Sequence, residues 1–214
     1  LPLTGATAEA MDAWIAEGVR KGEAGELARI WRTNDRSQEV LAAEGYEFER
    51  TCCAQDGKEQ WSERVLVVRS PVHAARQVTG LETRLVNAEK KLAALTPPRG
   101  RGKRQITEQA TLLEAIDHVL TEQRVAELLS VAWEKQVERK THYVGRGRGP
   151  ASRQKREIET IRYHITHSAR RGENIAEITK RFGWKAFVTN AVQPRLSLQD
   201  AVLCYRNEYR VERL

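Results

Sequence analysis

The sequence predicts an α+β fold rich in helix, and three observations predict it. Alternating apolar residues on either side of an Asp-Gly turn read as a hairpin over 45–69. A heptad-like stripe opens at Pro71. From residue 157 onward, short strand-like and helix-like segments alternate. A chain of 214 residues, 40% apolar and 30% charged, can bury a sizeable core as one or two domains. Its mean hydropathy is −0.60. No apolar run approaches the roughly 20 residues that cross a bilayer, and no basic-then-apolar leader opens the chain. No membrane association is expected, and a cytoplasmic location is.

The elements follow in order. Residues 7–20 predict a short helix with Met11, Trp14, Ile15, Gly18 and Val19 on one side. In the hairpin, Tyr46 and Phe48 alternate with Glu47 and Glu49, Asp56-Gly57 supplies the turn, and ERVLVVRS the second strand. Pro71 opens a long helix whose Val78, Leu81, Leu85, Ala88, Leu92 and Leu95 follow an a/d pattern as far as Pro97-Pro98. Those heptads are few for a dimeric coiled coil, so the pattern reads as a helical hairpin packed on its own protein. The returning helix is expected from about Thr107 to Arg139, carried by Leu112, Leu113, Ile116, Val119, Leu120, Val125, Leu128, Leu129 and Trp133, which makes a helical pair over 71–139. A strand–helix–strand over 157–190 comes next: IETIRYHIT, then Asn174 to Arg181, then WKAFVTN. Ser197 is the expected N-cap of a final helix.

Charge narrows the partners. The net charge is +7; the isoelectric point, about 9.5, favours a polyanion. The basic residues cluster. PPRGRGKR carries Arg99 and Arg101, and the stretch Arg139 to Arg156 carries Arg146, Arg148 and Arg153 among seven Lys and Arg with no acid between them. Gly145, Gly147 and Gly149 make its middle loop-like. Two such segments flanking a helical region point to phosphate contacts, which release counterions and bind without regard to sequence. The bland alternative for either alone is a solvated loop. His164 and His167, three apart on a strand, fall on opposite faces and do not form a metal pair. Cys52, Cys53 and Cys204 make neither a disulfide framework nor a zinc pattern, which fits a reducing compartment. IAEITKRFGW lacks a following recognition helix, so a helix-turn-helix is rejected there.

The last helix holds the sharpest signal. Leu198, Val202, Tyr205 and Tyr209 make one apolar stripe, and Glu212 is its next position. A carboxylate on the core side of a helix is costly unless it is paired or binds a metal. The chain stops at Leu214 without a helix-ending signal, and it opens without Met. A fragment is therefore expected, and the sortase-like letters LPLTG at its start are discounted.

WKAFVTN followed by LSLQDAVLCYRNEYRVER resembles the C-terminal part of a bacterial insertion-sequence transposase of the DDE class, and more narrowly its IS-four-like group. That group's signature is Tyr, two residues, Arg, three residues, Glu, six residues, Lys. Tyr205 matches the Tyr and Glu212 the Glu; Glu208 stands at the Arg position, a departure, and the signature Lys is absent. AEGYEFER, WSERVLVVRS and IRYHITHSARR resemble the insert found in a branch of the group, so the resemblance covers most of the chain.

The resemblance implies a ribonuclease-H-like catalytic fold in which two Asp and one Glu hold two Mg²⁺ or Mn²⁺ ions for phosphodiester hydrolysis and strand transfer. It implies that residues 1–3 end a core strand, 4–194 form an insertion domain, and 195–214 form the catalytic-core helix. It makes Glu212 the catalytic and metal-binding acid. Double-stranded DNA at transposon ends is the implied partner, contacted through Tyr205, Arg210, Trp184, Arg146, Arg148, Arg153, Arg99 and Arg101. A core role for Trp184 is weighed above base stacking. A homodimer is among the assemblies open to it, and a place at the bacterial nucleoid follows. Asp12, Asp35, Asp56, Asp117 and Asp200 do not sit where the family's two Asp do. Both are expected upstream of Leu1, so the chain alone is expected to be inactive and the metals to bind only in a full-length protein. The competing readings are a non-catalytic basic helical module that binds DNA or RNA, and a helical-hairpin interaction protein.

Overall fold

A computed structural model describes residues 8–53, 59–143 and 155–211. Among them are five helices and two antiparallel sheets, an α+β fold in which strand occupies almost as much of the chain as helix. The chain forms two compact units. Unit 1 comprises the residues up to Thr79 together with those from Glu177 onward, and unit 2 is Gly80–Ala176.

Unit 1 is a sheet with a helix on each face. Its strands are β1 (Ala28–Thr33), β2 (Glu39–Cys53), β3 (Gln60–Arg69) and β6 (Trp184–Thr189), in the order β1-β2-β3-β6. The β2–β3 hairpin is the expected one, begun earlier, at Glu39; its Asp56-Gly57 turn lies outside the described residues. Strand β1 carries no expectation from its sequence, because ARIWRT buries only Ile30. It is turned back by Asn34, whose Oδ1 accepts hydrogen bonds from the Arg36 and Gln38 amides, both at 2.9 Å. Helix α1 (Ala8–Glu23) lays Trp14, Ile15 and Val19 against Val65, Val67 and Trp184, on the side that its periodicity predicts. Helix α5 (Leu198–Val211) sets Leu198, Val202 and Leu203 against Ile30, Ala42, Ala43 and Val68 on the other face.

Two contacts tie the late strand to the early ones. Gly18 lies so close to Trp184 that a Cβ there would fall 2.6 Å from the ring, so only glycine lets the helix approach. Arg64, on β3, is 95% shielded from solvent. It donates to the carbonyls of Ala191 (2.9 Å) and Leu196 (2.6 Å), pinning the turn between β6 and α5. Its Nε sits 3.1 Å from Glu47, an ion pair without the alignment of a hydrogen bond.

Unit 2 contains most of helix α2 (Pro71–Leu95), helix α3 (Gln109–Glu122), and the long strands β4 (Leu129–Tyr143) and β5 (Lys155–Arg170). Leu81, Leu85, Ala88 and Leu92 are buried, as the heptad pattern requires, whereas Val78 is exposed. The expected helical pair over 71–139 is corrected. The second helix ends at Glu122, the chain turns at Arg124 (φ 54°), and β4 begins at Leu129. Leu129 and Trp133, four apart, fit a two-residue period as well as a helical one, and pairing with β5 decides for strand. Trp133 packs edge-on against Tyr163 across that pair, at 5.8 Å between ring centroids. The ends of the basic stretch 139–156, namely 139–143 and 155–156, are therefore strand; its middle, expected to be loop-like, lies outside the described residues. Helix α4 (Gly172–Lys180) follows β5. The strand–helix–strand over 157–190 exists, but its strands join different sheets: β5 pairs with β4 and β6 with β3. No helix among the described residues is long and apolar enough to cross a membrane.

Substituting Gly18→Ala should cost about 1–3 kcal/mol by driving a methyl into the Trp184 ring. Gly80→Ala, in α2 with nothing within 4 Å of its added methyl, should instead stabilise by about 0.5–1 kcal/mol. Urea denaturation of both variants checks the pair; equal effects would mean that the Gly18 contact does not set the helix approach.

Candidate nucleic-acid interface

The β4–β5 hairpin is a two-stranded ribbon whose outer part is exposed on both sides: residues 139–142 and 155–160 are all exposed. Alternation and register sort its side chains onto two faces. Lys140 lies opposite Ile158, His142 opposite Arg156, and Glu138 opposite Thr160, all on one face. On the other, Arg139 lies opposite Glu159 and Thr141 opposite Glu157. Lys155 shares this second face, so one face is basic and the other is mixed.

The basic linker joins the first face. Pro97 O accepts a hydrogen bond of 3.0 Å from the buried Arg162, and Ile106 pairs with Tyr163 along the outer edge of β5. Between them Arg99 meets Glu138, which Lys140 also contacts at 3.0 Å. Hydrogen bonds from Arg99 and then Lys140 hold the Glu138 carboxyl below its ordinary range. A cleft of about 560 Å³ opens beside the linker, lined by Lys103, Arg104, Thr107 and Thr111 among others. The two basic segments that are separate in sequence are thus neighbours. Arg99 and Arg101 are both exposed there.

The remaining candidates fare differently. Arg146, Arg148, Arg153 and Glu212 lie outside the described residues. Arg210 is on α5, with its side chain outside the described part. Tyr205 is 53% exposed, and its ring centroid lies 4.2 Å from that of Phe187 on β6. Trp184 is corrected as a base-stacking candidate: it is buried between α1 and the sheet, and its Nε1 donates to the Lys180 carbonyl at 3.1 Å. A ring packed on both sides has no face left for a base. Among the described residues no cluster of three or more His, Cys, Asp or Glu could hold a metal ion. The described residues by themselves therefore do not make a two-metal centre. Lys140, His142 and Arg156 escaped sequence reasoning as a group, because only strand pairing puts them on one face.

Set against protein-family models, curated proteins and solved structures, the chain gives no match in any of the three.

Unit 2 is also laced by carboxylates held ionised. Arg170 hydrogen-bonds to Glu89 at 2.7 Å and lowers its pKa, and Lys91 does the same to Glu122 at 2.6 Å. A carboxylate with a depressed folded-state pKa stabilises fully above its unfolded value of about 4.3, and that stabilisation is lost as pH falls through the folded value. Stability in urea should therefore decline as the pH drops below about 4.3, and Glu89→Gln should flatten that decline. An unchanged acid slope in Glu89→Gln would remove the Arg170 pair from the explanation.

Proposed function

We propose that this chain is the insert and last catalytic helix of a bacterial DDE-class transposase of the IS-four-like group, and that its own share of the work is to hold double-stranded DNA at transposon ends. The observation that carries the reading is the joint between WKAFVTN and the final helix. Strand β6, the Ser197 cap and α5 follow in the order of the family's signature, and the signature residue Tyr205 packs on Phe187 of that strand. Ser197 caps as the resemblance implies, its Oγ accepting from the Asp200 amide at 3.1 Å.

In this reading the ribonuclease-H-like fold is completed by segments outside the chain. Glu212 is one of three acids that together hold Mg²⁺ or Mn²⁺, and the two Asp come from elsewhere in the assembled protein. The chain's own residues bind and orient the DNA: Arg99 and Arg101 from the linker, Arg146, Arg148 and Arg153 from the basic segment between β4 and β5 in sequence, and Tyr205 and Arg210 from α5. Assembly as a homodimer and a place at the bacterial nucleoid accompany the reading. A second reading, a non-catalytic DNA- or RNA-binding module, is favoured by the basic ribbon face, which needs nothing from Glu212.

The purified chain should bind duplex DNA with an affinity that falls steeply with salt, log K against log concentration being linear. Glu212→Ala should leave that binding unchanged, and the chain should not nick supercoiled DNA in Mg²⁺ or Mn²⁺. Nicking that disappears in Glu212→Ala would overturn the one-acid reading; no binding even at low salt would overturn the DNA reading.

A further inference from the structure

We infer that the outer half of the β4–β5 ribbon lies in the major groove of B-form DNA, with the Lys140, His142 and Arg156 face turned toward the base edges. The inference rests on the DNA-binding reading and adds to it the groove, the face and the helical form of the nucleic acid.

Width is the first argument. Only two strands pair here, about 4.8 Å apart, and among the described residues neither face of the outer part is covered by another element. The major groove of B-form DNA is about 12 Å wide and admits a two-stranded ribbon, whereas the minor groove is about 6 Å wide. The A-form groove of duplex RNA is deep and narrow and excludes it. The stem in which both paired strands are exposed, 139–142 against 156–159, is about 14 Å long at about 3.4 Å per residue, enough to run along the groove.

Charge chooses the face. Lys140, His142 and Arg156 stand together with no acid nearer the tip than Glu138, and Glu138 is already neutralised by Arg99 and Lys140. The opposite face carries Glu157 and Glu159 beside Arg139 and Lys155. Turned inward, those two carboxylates would meet the phosphate field and be repelled; turned outward, they lie in solvent. Ile158 lies on the basic face and is 42% exposed. An exposed apolar side chain on a charged ribbon finds an apolar counterpart in the thymine methyl, which lines the major groove alone. Arg and Lys match the acceptors of guanine in that same groove.

The experiment is fluorescence anisotropy of the full chain with a DNA duplex longer than two helical turns, and with the same sequence as duplex RNA. Two variants remove the same charge from opposite faces: Lys140→Gln/Arg156→Gln, and Arg139→Gln/Lys155→Gln. The first should weaken DNA binding about tenfold or more, and the second less than about threefold, since base-edge contacts cost more to lose than charges on the face turned away from the DNA. The unmodified chain should prefer DNA over RNA and be displaced by methyl green, which occupies the major groove, but not by distamycin, which occupies the minor groove. The methyl green arm stands even if a variant fails to fold, which circular dichroism would show. Equal losses in the two variants, equal binding of RNA, or displacement by distamycin alone would overturn the groove assignment and leave DNA binding intact. Binding to no duplex would overturn both.

Discussion

Unit 1 depends on one strand being covered from both sides. In β3 the four consecutive residues Val65, Leu66, Val67 and Val68 are all buried, which a strand achieves only when both faces carry a layer. Val65 and Val67 face α1, and Val68 faces α5. The partner on the far side, β6, arrives only after the whole of unit 2 has been threaded, so the sheet is completed by a contact between distant parts of the sequence. Such a closure costs chain entropy before it is rewarded. Arg64 and the Gly18 contact with Trp184 mark where the reward is collected: a buried guanidinium holds the incoming turn, and a missing side chain lets an indole in.

That arrangement leaves unit 2 free to specialise. Inserted between β3 and β6, it carries no strand of the unit 1 sheet, and its own sheet is a bare ribbon. A two-stranded ribbon is marginal without support. Here the base is anchored by Arg162 on Pro97, by the bridge of Ile106 to Tyr163, and by Thr96, whose hydroxyl accepts from the Ile165 amide. The outer part is exposed on both faces. Its uncovered faces are a cost to stability that is understandable if a polyanion supplies the missing contact.

How much of this was legible in the sequence follows from how local each signal is. The α1 side, the buried heptad positions of α2 and the Ser197 cap were readable, because periodicity and capping are written within a few residues. Strand β1 was not, since an edge strand that buries only Ile30 has no pattern to show. Strand β4 reads as helix in sequence because Leu129 and Trp133, four apart, satisfy either period until β5 pairs with it. For the interface, the basic composition of both segments was visible, but the meeting of Arg99 with Glu138 and the shared face of Lys140, His142 and Arg156 are tertiary facts. Trp184 carried two readings in sequence, and its burial settles it as a core residue.

The strand-to-helix joint at the end of the chain and the basic ribbon bear on different halves of one proposal, the first on descent and the second on partner. The measurement that tests the transposase claim most directly is the sequence of the DNA on both sides of the coding segment. The reading frame should run upstream through two apolar strands that each end in Asp, and downstream through the signature Lys, making Glu212 the third acid of a complete set. A frame that opens close to Leu1 and closes at Leu214, with no such strands, would contradict the transposase claim and leave a stand-alone binding module.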